Sequence, residues 1–214
     1  NMLDPRIEVT RASKDWDDHG NEYGINEPVI TDEGLWTSGA RTNLKLNAQN
    51  VQSIPVTAQT YTLSFYGSGT IALSGAHSHA VTGSGGRTTY TFTPTVGQLN
   101  IAPSGVERVQ LEVGAVATPY IPTEGSQVTV ASSFQSVPKQ LKGDYTVFVD
   151  FTPIAPTTGG SSITSILSIF KGTSNAVAVT LADGLLRLTF YGQGTAQAAT
   201  SGFEYGQRHK IAIT

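Results

Sequence analysis

The stretch that decides the fold opens at Tyr61 with YTLSFYGSGTIALSG and closes at Glu112 with VERVQLE. Between these two pieces lie TTYTFTP at 88–94 and QLNIA at 98–102. Apolar residues alternate with small polar ones in every piece, and Gly, Pro and Ser clusters interrupt the alternation about every 8–12 residues. This period of two predicts short antiparallel strands that each bury one face. The alternating apolar residues are Tyr61, Leu63, Phe65, Ile71, Leu73, Tyr90, Phe92, Leu99, Ile101, Val109, Leu111 and Val113.

Two such sheets that pack face to face make a small β-sandwich. The alternation returns in the C-terminal third, and no segment shows a sustained helical period. We therefore expect an all-β protein, in which two antiparallel, jelly-roll-like β-sandwich modules follow an extended N-terminal arm. The predicted divisions are an arm over 1–45, a first sandwich over 46–123, a linker over 124–140 and a second sandwich over 141–214.

The second sandwich is predicted to be incomplete. Its expected strands cover 145–151, 162–170, 176–181 and 185–191, and a fifth strand begins at His209. The sequence stops inside that fifth strand, and an unpaired strand end invites aggregation. We therefore expect the natural chain to continue beyond this point.

The composition argues against several classes of function. A net charge of −3 without Lys/Arg clusters does not suit nucleic-acid binding, which requires cations that neutralise phosphates. No apolar run reaches the roughly 18 residues of a membrane-spanning helix. Because the chain has no cysteine, its stability must come from sheet packing or from oligomerisation. Only 14% of the residues are charged and 23 are glycine, which is typical of rigid extracellular β proteins.

One octapeptide has a near-identical copy elsewhere in the chain. LSFYGSGT at 63–70 and LTFYGQGT at 188–195 agree at six of eight positions. Their wide separation rules out a tight repeat. We interpret the likeness as convergence on a strand, an aromatic pair and a glycine bend.

Five short segments resemble bacteriophage tail-fibre and minor structural proteins. TRAS at 10–13, NEP at 26–28 and GARTNL at 39–44 are similar to the opening segment of a carbohydrate-binding-like module in that family. QLEVG at 110–114 and ATPYIPT at 117–123 are similar to the closing motif of the same module. The residues from Leu141 onward resemble the first half of a concanavalin-A/LamG-type lectin sandwich.

The resemblance implies an extracellular component of a virion, such as a tail fibre, a spike or a tail-tip protein. It also implies a homotrimer that contacts other tail proteins and displays its sandwiches for attachment to host surface glycans. Because a fold does not determine a function, two alternatives stay open. One is a secreted or virion-borne carbohydrate-active enzyme with accessory sandwiches, and the other is a purely architectural collar or baseplate protein.

Exposed aromatic side chains are the expected glycan contacts, because their faces stack on pyranose rings. Alternation sends Phe65 and Tyr66 to opposite faces, so Tyr66 lies outside if Phe65 lies in the core. We identify Tyr66, Tyr191 and Tyr205 as possible glycan contacts on this basis. An exposed tyrosine could equally cover a neighbouring strand or pack against another subunit.

Several residues are assigned structural roles. Arg41 is expected to enter the sandwich, pair with a carboxylate such as Glu27 or Glu112, and donate to backbone carbonyls. Trp16 and Trp36 have rings that could contact sugars, but their place in the arm predicts that they fasten it to the sandwich.

Two segments have partial metal-binding patterns. The segment from Asp15 has carboxylates at the first and third places of a calcium loop, but it has His19 at the fifth place and Asn26 where a bidentate Glu belongs. We interpret it as a polar turn. His77 and His79 would form half of a zinc or copper site, which a threefold axis could complete. Exposed loop histidines are the simpler interpretation.

No catalytic residue and no cofactor are predicted. A glycosidase needs two acids about 5–9.5 Å apart, whereas Glu107 and Glu112 are five positions apart and face opposite sides of a regular strand. The four histidines are scattered and lie in no Gly-x-Ser-x-Gly context. We therefore expect the chain itself not to be an enzyme.

Overall fold

The structure, a computed structural model, describes residues 7–32, 34–136, 146–153, 164–171, 174–182, 185–190, 196–200, 203 and 206–213. The chain divides into two compact units, Asn1–Gln140 and Leu141–Thr214. No helix occurs in these described ranges, and so none that could cross a membrane. Strands in antiparallel sheets make up the regular structure, which confirms the prediction of an all-β protein.

The described part of the first unit contains fifteen strands. In chain order they are β1 Glu8–Thr10, β2 Asp15–Trp16, β3 Glu22–Tyr23, β4 Val29–Thr31, β5 Gly34–Trp36, β6 Arg41–Asn43, β7 Gln52–Val56, β8 Tyr61–Tyr66, β9 Thr70–Gly75, β10 His79–Thr82, β11 Arg87–Phe92, β12 Gly97–Ser104, β13 Glu107–Val113, β14 Val128–Val130 and β15 Phe134–Ser136.

Strands β7 to β13 form two sheets that share one hydrophobic core. The four-stranded sheet has the order β10-β9-β12-β7 and the three-stranded sheet has the order β11-β8-β13. All seven strands contribute buried apolar side chains to the same cluster. Of the twelve alternating apolar residues, only Tyr90 and Val113 are half-buried rather than buried.

Two of these strands bury both of their faces. On β8 and β13 the alternate residues Thr62, Ser64, Gln110 and Glu112 are buried as well as the apolar ones. The chain after β13 lies against this second face, where the Gln110 side-chain amide donates to the carbonyl of Thr118 at 3.2 Å. The expectation that each strand buries one face is therefore wrong for β8 and β13, because a later segment covers the polar side.

The N-terminal strands pair with strands from the region predicted as a linker. β1 pairs with β15, and β6 pairs with β14, both antiparallel. The Ser38 amide also donates to the hydroxyl of Ser133 at 3.1 Å. These strands have only three residues each, too few for a period of two to be recognised in the sequence.

The turn between β8 and β9 crosses the turn between β12 and β13. The Gly67 φ angle is +107°, in the region that favours glycine. A Cβ atom on Gly69 would overlap the carbonyl oxygens of Ser104 and Gly105, well inside the 3.0 Å limit of real contacts. The Gly83 amide donates to the carbonyl of Gly69 at 2.7 Å. The glycines of the first octapeptide copy thus allow two backbone turns to touch.

The described part of the second unit contains six strands. They are β16 Val147–Phe151, β17 Thr164–Lys171, β18 Ser174–Ala182, β19 Leu185–Phe190, β20 Ala196–Thr200 and β21 His209–Ile213. One antiparallel sheet has the order β17-β18-β19-β20, and β16 pairs with β21. Five of the six overlap strands predicted from the sequence. The exception is β20, whose sequence AQAAT has no large apolar residue.

Candidate functional site

Arg41 on β6 is buried in the first unit. Its guanidinium pairs with Asp15, and it donates to the carbonyl of Pro119 at 2.9 Å and to the hydroxyl of Thr118 at 3.2 Å. Burial lowers the pKa of Arg41, while the charges of Asp15 and Glu112 act in the opposite direction. The direct partner is therefore Asp15, which was predicted only as part of a polar turn.

The two acids that were predicted as partners of Arg41 have other contacts. Glu27, one of the predicted partners, instead accepts from the Gly24 amide at 2.6 Å. Glu112 is buried and accepts from the amide of Thr118 at 3.0 Å and from its hydroxyl. Burial raises the pKa of Glu112 above its ordinary value, although the bonds from Thr118 and the charge of Arg41 lower it. Glu112 thus joins the network around Arg41 through Thr118.

A second buried arginine, Arg11, follows β1 directly and also lies near Asp15. Arg11 lies with Nη1 at 3.9 Å from Oδ2 of Asp15 and donates to the carbonyl of Gly24 at 2.6 Å. Its amide donates to the side-chain oxygen of Asn26 at 2.8 Å. The buried Asp15 carboxylate thus forms ion pairs with two buried guanidinium groups.

The rest of the segment that resembles a calcium loop is a hydrogen-bonded turn. Asp17 accepts from the amides of His19 at 2.9 Å and Asn21 at 2.8 Å, and from the hydroxyl of Tyr23 at 3.1 Å. Burial raises the pKa of Asp17, but these bonds outweigh it and the net shift is downward. Asp17 thus accepts hydrogen bonds from its own turn, whereas the neighbouring Asp18 pairs with Arg87 of β11.

Trp36 is half-buried on β5, where it faces Val29 of β4. Its carbonyl accepts from the side-chain amide of Gln135 at 3.3 Å. Its indole nitrogen is buried and has no hydrogen-bond partner among the described residues. Trp16 is also half-buried, on β2. Both indoles are therefore partly covered within the first unit.

His77 and His79 stack on two aromatic rings of β11. His77 lies 4.5 Å from Phe92 and His79 lies 4.6 Å from Tyr90 between ring centroids. The two imidazoles are 6.3 Å apart, and Nε2 of His77 is 3.0 Å from the Tyr90 hydroxyl. Within the described ranges no group of three His, Cys, Asp or Glu side chains could hold a metal ion. The preferred interpretation, exposed loop histidines, is only partly right, since His77 is half-buried and the exposed His79 begins strand β10. Metal binding across a threefold axis stays the untested alternative.

The position of His77 in this stack predicts that the stability of the first unit depends on pH. Burial and the neighbouring His79 lower the pKa of His77 below its ordinary value of 6.5. The unfolded chain then binds more protons than the folded chain just below pH 6.5, so stability falls as the pH is lowered through that window. We expect His77→Gln to reduce the slope of melting temperature against pH. Tryptophan fluorescence can record this, since Trp16 and Trp36 are the only tryptophans.

The control for this measurement is His19→Gln. His19 is exposed and lies 3.1 Å from the exposed Asp32, a pair that contributes little to stability. Its replacement should leave the slope nearly unchanged. Equal slopes for the native protein and His77→Gln would contradict the prediction.

Tyr66, the first predicted glycan contact, lies half-buried beneath two arginines. The guanidinium carbons of Arg108 and Arg87 lie 5.4 and 5.8 Å from its ring centroid, within the range of cation–π attraction. Its hydroxyl is 3.4 Å from the carbonyl oxygen of Asp18. Tyr66 is therefore outside the core, as predicted, but its ring already contacts cations of the same chain.

The two arginines differ in their partners. Arg87 donates to the carbonyl of Thr118 and to the hydroxyl of Ser64 at 3.2 Å, and its Nη1 lies 3.5 Å from the Asp18 carboxylate. Arg108 makes no hydrogen bond or ion pair with any residue that the structure describes. Arg87 thus has several partners, although its buried Nε has none among the described residues, whereas the guanidinium of Arg108 has no such partner at all.

Arg108 also has an unusual backbone. Its φ angle is +51°, and the register of β13 against β8 shifts between Glu107 and Gln110. A bulge of this kind re-aims the side chain that it carries. Here the guanidinium is directed over Tyr66 and towards Gly20 of the arm. Arg108 could not be identified from the sequence, because a bulge inside a regular alternating strand leaves no pattern.

The two other predicted glycan contacts, Tyr191 and Tyr205, lie outside the described residues. The acids considered for catalysis lie in different environments, since Glu107 is exposed and Glu112 is buried. In comparisons with known proteins, no family model, no curated protein and no solved structure matches this chain.

Proposed function

We propose that this chain is a structural module of a bacteriophage appendage, such as a tail fibre, spike or tail tip, that presents its β-sheets to host surface glycans. The proposal is supported by the contacts among the five segments that resemble phage tail proteins. The segments GARTNL, QLEVG and ATPYIPT meet in a buried hydrogen-bonded network of the first unit. The segments TRAS and NEP are joined to each other by a part-buried hydrogen bond and to this network through the ion pairs of Asp15 with Arg11 and Arg41. Their polar residues therefore connect separate parts of the first unit.

The contacts link each opening segment to another segment of the set. Within GARTNL, Arg41 donates to Pro119 of ATPYIPT at 2.9 Å, and the Asn43 side-chain amide donates to the carbonyl of Ile121 at 2.9 Å. The Ile121 amide donates to the side-chain oxygen of Gln110 in QLEVG at 2.7 Å. If the five segments resembled phage proteins only by chance, we would not expect them to contact one another in the fold.

The second pair of segments is joined in the arm. Arg11 of TRAS donates through its amide to Asn26 of NEP at 2.8 Å. Through Asp15, Arg11 is linked electrostatically to Arg41. The network thus fastens the N-terminal strands to the two-sheet core, which suits a module that must stay rigid at the surface of a particle.

Electron microscopy with gold-labelled antibodies to the first unit tests the proposal. Particles released from cells that carry the gene should bear label on the tail, and particles from a strain without the gene should bear none. Unlabelled particles together with free protein in the medium would overturn the proposal. Native mass spectrometry of the purified protein tests the proposed homotrimer in the same preparation.

Two further assays separate the proposal from its alternatives. A glycan array should show binding for a protein that contacts host sugars and none for a purely architectural collar or baseplate component. Release of reducing ends from purified capsule or lipopolysaccharide would favour the carbohydrate-active enzyme instead.

A further inference from the structure

We infer that the cluster of Tyr66, Arg87 and Arg108 in the first unit is a binding site for a carboxylate-bearing sugar, with Arg108 as the group that binds the acid. This inference rests on the proposed function for the expectation that the ligand is a glycan. The class of sugar comes from the charges and the unused donors of the cluster itself.

Most of the unused hydrogen-bonding capacity of the cluster lies on Arg108, although the buried Nε of Arg87 also has no partner among the described residues. A guanidinium has five N–H donors in a planar fork that matches a carboxylate. None of those of Arg108 is bonded to a described residue, although the side chain is half-buried against Tyr66. A partly desolvated cation that lacks an anion attracts one from solution more strongly than a fully hydrated cation does.

The charges of the cluster favour a ligand with a single negative charge. Arg87 and Arg108 contribute two positive charges, and the Asp18 carboxylate, 3.5 Å from Arg87, contributes one negative charge. One positive charge is left, and it lies on Arg108.

The backbone at Arg108 is the second, independent observation. An arginine in the left-handed region is strained, and such strain is concentrated at functional sites. A residue with no role beyond covering Tyr66 could do so from a regular strand position. The bulge instead directs the guanidinium towards the exposed Asp18–Gly20 turn, where a ligand can approach from solvent.

The test uses polygalacturonate as the acidic probe and fully methyl-esterified homogalacturonan as its matched neutral probe. Both polymers have the same sugar backbone, and only the first has free carboxylates. Isothermal titration with the whole chain should show binding to polygalacturonate that is at least about tenfold tighter than binding to the ester. Affinity should fall as NaCl is raised from about 0.05 to 0.5 M, because salt screens the charge.

Arg108→Asn is the informative variant. Asn removes the guanidinium but tolerates a positive φ better than Arg, so the variant should melt at the same temperature or higher. Its affinity for polygalacturonate should drop at least about tenfold, to that of the ester. Lys14→Asn removes one exposed positive charge elsewhere in the first unit and should leave the affinity unchanged.

Arg108→Lys adds a second measurement, since it keeps the charge but loses the fork and should bind with intermediate affinity. Unchanged binding by Arg108→Asn, or equal binding of the acid and the ester, would overturn the inference. If the tails carry label but binding does not depend on the acid, the inference is overturned and the proposed function is retained. Acid-dependent binding without tail labelling would uphold the site and overturn the phage assignment.

Discussion

Replacing Arg41 with alanine is expected to reduce the free energy of unfolding of the first unit by about 3–5 kcal/mol. The side chains of Arg41 and Asp15 are 1% and 0% exposed, so removing the guanidinium leaves a buried carboxylate without its closest cation. Thr118 and Pro119 lose a donor at the same time. Leaving one charge of a buried pair uncompensated is among the most destabilising single changes in a protein.

Tryptophan fluorescence measures this effect in the unit where it occurs, because Trp16 and Trp36 both belong to Asn1–Gln140. A loss of this size corresponds to a fall in melting temperature of about 10 °C or more. Arg41→Lys should restore only part of the stability, since a single ammonium cannot reach Asp15, Thr118 and Pro119 together.

The matched control is Lys14→Ala. Lys14 lies 2.6 Å from Glu22, and both side chains are about half exposed or more, so this ion pair is worth less than about 1 kcal/mol. The double variant Arg41→Ala/Asp15→Ala should be less destabilised than the sum of its single variants. A melting temperature for Arg41→Ala close to that of Lys14→Ala would show that the buried network does not stabilise the unit.

Gly69→Ala is expected to destabilise the first unit by about 1–3 kcal/mol or more, as overpacking against a fixed neighbour does. The new Cβ would overlap the carbonyl oxygens of Ser104 and Gly105, which are backbone atoms and cannot rotate away. Either the β8–β9 turn or the β12–β13 turn must move. Because the Gly69 carbonyl also accepts from Gly83, a third segment is disturbed.

Denaturant unfolding followed by tryptophan fluorescence checks this prediction. Gly86→Ala is the control, because nothing lies within 4 Å of the Cβ that it would add and its φ is not in the left-handed region. It should be neutral or slightly stabilising, since alanine has a lower backbone entropy in the unfolded chain. Equal midpoints for the two variants would show that the two turns are not packed as described.

The candidate site was partly predictable from the sequence. Alternation placed Tyr66 outside the core, which it is, and a long cation in GARTNL was expected to be buried with a carboxylate. The identity of that carboxylate was not predictable, because Asp15 lies 26 positions from Arg41 and only folding brings them together. Arg108 was missed because its importance comes from a backbone bulge and from the absence of a partner.

What the sequence determined by itself is the class of the fold and the apolar side of the strands from Tyr61 to Val113. Side chains alternate across a strand as a local consequence of backbone geometry, so a period of two can be recognised without any partner. Tertiary structure alone decided which strands pair with the short N-terminal ones, why the polar faces of β8 and β13 are buried, and where Arg41 and Arg108 point. These features depend on segments that are distant along the chain, and no local pattern records which distant segment will cover a given face.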